Sequence, residues 1–296
     1  MRQGPRNMQK AKIKRRDHID AVRVALWYSY IRENLSKNSD YQIERIIEPE
    51  AFGKNEYGDA YHNNKWRGYR VGKHTPNQKL IDAAERHVFG SCKVINNILW
   101  QAIRGNKEID WLIKHGISQL PWDVQKVLYK PNKYDTSLEL VPDLSRRELI
   151  RLERLAGLDA LAAQVIFLKL AANRDGNTFA ISQSIYRTLL IICTEIPFFY
   201  YREHLISLVN FYVFSSVSST KEIFGENFED SFSNNVKILL DLLLAMEDKI
   251  IVGITRKERV RALSDLLHKT RVLSLLDGGY FLTLDALWDA SNANYH

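Results

Sequence analysis

Hydrophobic side chains recur every three to four positions over most of the chain, the spacing of an amphipathic helix. From Asp17 to Asn34, Ile19, Val22, Ala25, Leu26, Tyr28 and Ile31 keep this period, and Asp17 is placed to cap the run. Residues 35–64, rich in Asn, Ser, Gly, Tyr and acids, predict a loop with one helical turn around Ile43 to Ile47. Helices are expected from Pro76 to about Val88, from Cys92 to Arg104 after a Gly90-Ser91 break, and briefly from Asn106 to Gly116. Ser145 to Asn173 reads as a Leu/Ala-rich helix or helix pair. Ser145 and Glu148 form its capping box, and Gly157 marks a break. Further helical runs are expected at 179–194, 199–217, 233–248 and 255–268.

Pro121, Pro131 and Pro142 punctuate a segment of weak periodicity, and Lys126 to Ser137 is its most linker-like part. Arg271 to Leu284 holds two short apolar runs around Asp277-Gly278-Gly279, a hairpin signal. A helix followed by such a hairpin outlines either a winged helix or a small ribbon closing a helical domain. The expected fold is therefore mainly α. A tail (1–16) precedes a helical module (17–125), and a larger α-helical domain (138–296) ends in the β-hairpin.

Charge adds one feature to this pattern. The net charge is +7, and residues 1–16 carry Arg2, Arg6, Lys10, Lys12, Lys14, Arg15 and Arg16 with no acid. Of 42 Lys and Arg, 35 remain outside this tail against 35 Asp and Glu, so the body is neutral. Such a tail suits phosphate contact through counterion release, or simple solubilisation. The most apolar stretch, Phe179 to Val217, is interrupted by Arg187, Glu195, Arg202, Glu203 and His204, so it reads as core rather than a membrane span. No apolar h-region follows the basic start. Cys92 and Cys193 lie in apolar surroundings and are expected to be reduced and buried. A cytoplasmic location is expected.

Trp66 to Pro76 (WRGYRVGKHTP) is a joint between two helices. Gly72 suits the left-handed position past a helix end, Thr75 an N-cap and Pro76 the first helical turn. Between His62 and Lys93 there are seven Lys or Arg and two acids, Asp82 and Glu85, a local excess of +5.

Tyr69, Gly72 and Pro76, followed by Leu80, Ala83 and Ala84, resemble the second half of the Cro/repressor family of helix-turn-helix domains. That resemblance implies that residues 62–71 form the recognition helix. His62, Asn63, Asn64, Lys65, Arg67 and Arg70 would then be available to base edges or phosphates. Residues 52–61 supply no apolar helix of the kind that precedes it in that family. The wider pattern is similar to uncharacterised bacterial and prophage-encoded proteins. It comprises W-x-x-Y-x-x-G-x-x-T-P, then Gly90-Ser91, Trp100 and the Leu158 to Leu161 run (LDAL). This implies a bacterial or phage setting.

Enzyme signals are sparse. There is no P-loop, no G-x-G-x-x-G and no G-x-S-x-G. His62, His74 and His87 have no paired spacing, so no metal is expected, and no cofactor is implied. Arg261 and His268 have the spacing of helical ribonucleases of the HEPN type. That resemblance would make Arg261 a phosphate stabiliser and His268 a general base at a dimer cleft. The plain alternative is a basic helix end complementing its dipole.

The expected function is non-enzymatic binding of DNA or RNA by a bacterial or phage regulator or accessory subunit. Asn64, Lys65, Arg67, Arg70 and Lys73 would contact the nucleic acid, aided by Lys14, Arg15 and Arg16 of the tail. The C-terminal helices would form a homodimer or hold a protein partner. The alternative is a protein-interaction subunit of a larger complex, as in phage defence, without nucleic-acid contact.

Overall fold

The structure, a computed structural model, describes residues 16–37, 39–54, 60–61, 64–132, 134, 136–217 and 228–268. The hairpin expected at 271–284 and tail residues Lys14 and Arg15 lie outside these, as do His62 and Asn63.

The described chain is mainly helical. α1 (His18–Leu35) is capped by Asp17, whose carboxylate accepts from the Ile19 amide. It has little amphipathic character because Val22, Val24, Leu26, Trp27, Tyr28 and Ile31 are buried around most of its girth. α2 (Asp40–Ile47) is longer than the single turn expected. A short antiparallel ribbon, β1 (Gly53–Lys54) with β2 (Ala60–Tyr61), precedes α3 (Lys65–Arg70). α4 (Gln78–His87) follows the joint, with Asn77 rather than Thr75 as its cap, the Leu80 amide donating to Asn77 Oδ1. The Thr75 hydroxyl instead accepts from Arg16, and the helix starts two residues later than the sequence suggests.

The single helix expected from Cys92 to Arg104 is two, α5 (Ser91–Ile95) and α6 (Leu99–Arg104). Asn97 divides them: its Oδ1 accepts from the Leu99 amide and its Nδ2 donates to Asp159. α7 (Ile109–Trp111) runs on as a π-type turn through Gly116. The stretch expected as linker begins inside α8 (Trp122–Leu128) and continues into an antiparallel ribbon, β3 (Tyr129–Pro131) with β4 (Leu138–Leu140). Its Pro and Asn punctuate a hairpin.

α9 (Arg146–Leu155) opens with the Ser145–Glu148 capping box, and the chain breaks at Gly157 before α10 (Leu158–Asn173). α10 is buried almost all round, the mark of a central helix. α11 (Thr178–Ile192), α12 (Arg202–Tyr212), α13 (Phe228–Asp248) and α14 (Arg256–Leu267) complete the described chain. One continuous cluster of buried apolar side chains runs from Ile19 to Leu267. α10 packs on α6, α9 and α11, and α1 touches α12 and the 3-10 turn before it, where Ser29 and Tyr201 share a 2.9 Å hydrogen bond. No described helix is long and apolar enough to cross a membrane. Cys193 is buried and Cys92, expected to be buried, is partly exposed; both are free thiols.

Candidate nucleic-acid interface

The joint is built from the inside outward. Trp66 is fully buried and stacks on Trp27 of α1 at 5.6 Å, with Tyr69 edge-on to both rings. The Trp66 indole donates to Glu48 Oε2. α3 then stops in a Schellman arrangement. The Lys73 amide donates to the Gly68 carbonyl (2.7 Å) and the Gly72 amide to Tyr69 (2.9 Å), with Gly72 at φ +64°. A methyl group on Gly72 would lie 2.2 Å from the Ala21 carbonyl oxygen, so the turn sits directly on the α1 backbone. Gly68 also has a use: the His74 ring covers the space a side chain there would fill.

With Trp66 and Tyr69 turned inward, Lys65, Arg67 and Arg70 of the same six-residue helix are forced outward, and Lys73 and His74 are exposed beside them. Asn64 precedes the helix in a left-handed conformation and is exposed. These cations differ in how free they are. Lys65 lies 3.9 Å from Glu48 and Arg70 lies 3.5 Å from Asp40, which also accepts from the Tyr28 hydroxyl. Burial, then the hydrogen bond to Asp40, pushes the Tyr28 hydroxyl pKa up. Arg67 and Lys73 form no ion pair with a described residue. Along α4, Lys79 and Arg86 join Lys65 around a shallow polar cavity of about 250 Å³ that also contains Glu48 and Glu50.

Arg16 connects the tail to this surface. Its Nη2 donates to Thr75 Oγ1 (2.8 Å) and to the Asp20 carbonyl. The nearest acids are already engaged: Arg104 bonds both Asp17 and Asp20 at 2.8 Å, and Arg23 bonds Asp20.

Arg261 and His268 lie on the other side of the sequence pattern, on and just past α14. Arg261 is solvent-exposed and only 3.9 Å from Asp265. His268 instead donates from Nε2 to Glu153 Oε2, and Glu153 is wholly buried. Glu153 also accepts from Ser184 Oγ (2.6 Å) and faces Arg187 at 3.5 Å, while Gln164 donates to Ser184 and Thr188. This network floors a cleft of about 340 Å³ whose rim includes Arg146 and Gln183. The arrangement satisfies a buried carboxylate. Nothing in the spacing of Arg261 and His268 pointed to Glu153, which comes from a helix 115 residues away. Among the described residues, no group of three or more His, Cys, Asp or Glu is placed to hold a metal ion.

Comparisons with models of protein families, with curated proteins and with solved structures gave no match.

Proposed function

We propose that this protein binds nucleic acid through the basic face of the joint, with Asn64, Lys65, Arg67, Arg70 and Lys73 contacting it. The basic tail, with Lys14, Arg15 and Arg16, adds salt-sensitive affinity. One observation carries this reading: the hydrogen bond from Arg16 to Thr75 brings the end of the tail onto the turn that displays Lys73. Arg16 and the cations of the joint, far apart in sequence, then share one surface beside a buried aromatic core. Phosphate neutralisation by such a surface supports dissociation constants of about 10⁻⁴ to 10⁻⁶ M at physiological salt without base readout. Mobility shift of labelled DNA and RNA across a salt series tests it. Absence of binding to either at low salt removes the proposal.

A second reading is a protein-interaction subunit, and one observation favours it. Ile250, Ile251 and Ile254 are exposed on the loop between α13 and α14, with Ile250 at φ +57°, where a β-branched residue is strained. Light scattering over a concentration series tests whether this loop joins two copies of the chain. Loss of a dimer in the double variant Ile250→Asp, Ile254→Asp supports it, and a monomer at all concentrations removes the homodimer.

A further inference from the structure

Phe89 sits at the far end of α4 from the joint, in the turn leading to α5, and the residue is 83% exposed. The turn that displays it is held from several sides. Glu85 Oε1 accepts from the Gly90 amide (2.8 Å), and Oε2 accepts from the Cys92 amide (2.7 Å) and from Ser91 Oγ (3.1 Å). The Tyr30 hydroxyl donates to the Phe89 carbonyl, and Gly90 takes φ +88° against that same hydroxyl. A bare phenyl ring is thus fixed in water by a built turn.

Its surroundings are cationic rather than apolar. Lys93 Nζ lies 5.9 Å from the ring centroid, within cation–π range. Arg86 and His87 are exposed at the end of α4, and neither Arg86 nor Lys93 forms an ion pair with another described residue. The one acid in the turn, Glu85, is consumed by the backbone. Arg86 also lines the cavity shared with Lys65 and Lys79, which Glu48 and Glu50 line as well, each 3.9 Å from one of those lysines. Lys65 and Lys79 are thus offset by acids, and the cations Arg86 and Lys93, unpaired among the described residues, lie at the ring's end of α4, about 15 Å of helix from the joint.

A protein-binding anchor is normally ringed by other apolar contacts, whereas a ring set among cations suits a ligand with both a π-face and a phosphate. Duplex DNA keeps its base faces stacked inside. We propose that Phe89 is a stacking platform for an unpaired nucleobase, so that the nucleic acid running along α4 is single-stranded. This rests on the reading of the joint as a nucleic-acid interface and specifies its ligand.

The test is fluorescence anisotropy with a labelled oligothymidine and a labelled duplex of equal strand length. Phe89→Ala is expected to weaken the oligothymidine about tenfold or more and the duplex by less than twofold. Phe89→Trp is expected to retain oligothymidine affinity, with its indole fluorescence quenched by the bound strand. Since the ring touches little, both variants should unfold at the wild-type temperature. Unchanged oligothymidine affinity in Phe89→Ala, or equal loss on both probes, overturns the stacking site alone. Failure of the wild-type protein to bind either probe at low salt overturns the interface and this inference together.

Discussion

Arg16 and Thr75 are 59 residues apart in sequence and share a 2.8 Å hydrogen bond from guanidinium to hydroxyl. The bond is solvent-exposed, so its own contribution to stability is about 1 kcal/mol or less. Its consequence is positional. Six of the seven tail cations precede Arg16 in sequence, and Arg16 itself sits on the turn beside Lys73 and His74. Removing residues 1–15 is expected to lower the slope of log affinity against log salt by up to about 4, at ~0.7 per phosphate for a single strand. Titration of the truncated and full chains with salt measures this. An unchanged slope places the tail elsewhere.

The joint's geometry makes an unequal prediction for its two glycines. Gly72→Ala forces a methyl group against the Ala21 carbonyl at positive φ, and it should destabilise by about 3 kcal/mol or more. At Gly68 the obstacle is the His74 ring, an exposed side chain that can swing away. There the gain in helix propensity offsets the displacement, and Gly68→Ala should fall within about 1 kcal/mol of wild type. Urea unfolding of both variants distinguishes a backbone obstacle from a side-chain one.

The buried Glu153 predicts a third outcome. Glu153→Ala leaves Arg187 and His268 without their carboxylate and should cost about 3–5 kcal/mol. Glu153→Gln keeps the shape and the acceptor for Ser184 and should cost less. Denaturant unfolding checks the order, and equal losses would show that shape and the Ser184 acceptor add nothing beyond the lost charge.

The Phe89 turn should weaken in acid. Burial raises the Glu85 carboxyl pKa, but hydrogen bonds from Cys92, Gly90 and Ser91 outweigh it and hold the pKa below the usual range. A depressed folded value stabilises the protein fully above the ordinary carboxylate pKa. That contribution is lost as pH falls through the lowered value. The stability gap between wild type and Glu85→Gln should therefore be widest near neutrality and shrink in acid. A gap that is constant with pH would show that the carboxylate charge is not what fixes the turn.

Local signals in this chain were legible where the physics is local. Asp17 as a cap, the Ser145–Glu148 box, the break at Gly157 and the left-handed Gly72 all appear where the sequence places them. Misreadings came where neighbours in space decide. Asn97 splits a helix because Asp159, 62 residues on, holds its amide. Thr75 gives up the cap because its hydroxyl meets Arg16 and Asn77 takes the role. The residues 126–137 read as linker because three-residue strands carry almost no periodicity; their pairing is visible only through the register of Tyr129 with Leu140. The candidate cations were readable as charge. Which of them are free was not, since Glu48 and Asp40 approach Lys65 and Arg70 only in the folded chain.

The central claim is that Arg67 and Lys73 face phosphate. The direct measurement is anisotropy of labelled single-stranded and duplex oligonucleotides at low and rising salt. It compares wild type, Arg67→Ala with Lys73→Ala, and a control pair on the distant helices, Lys237→Ala with Lys257→Ala. The account predicts that binding falls steeply with salt and that the Arg67 and Lys73 pair weakens it tenfold or more at about 0.1 M salt, each phosphate no longer neutralised removing ~0.7 of a decade of affinity per decade of salt for a single strand. The control pair should leave it within twofold. Equal weakening by the two pairs, or no binding by the wild-type protein at low salt, would contradict it.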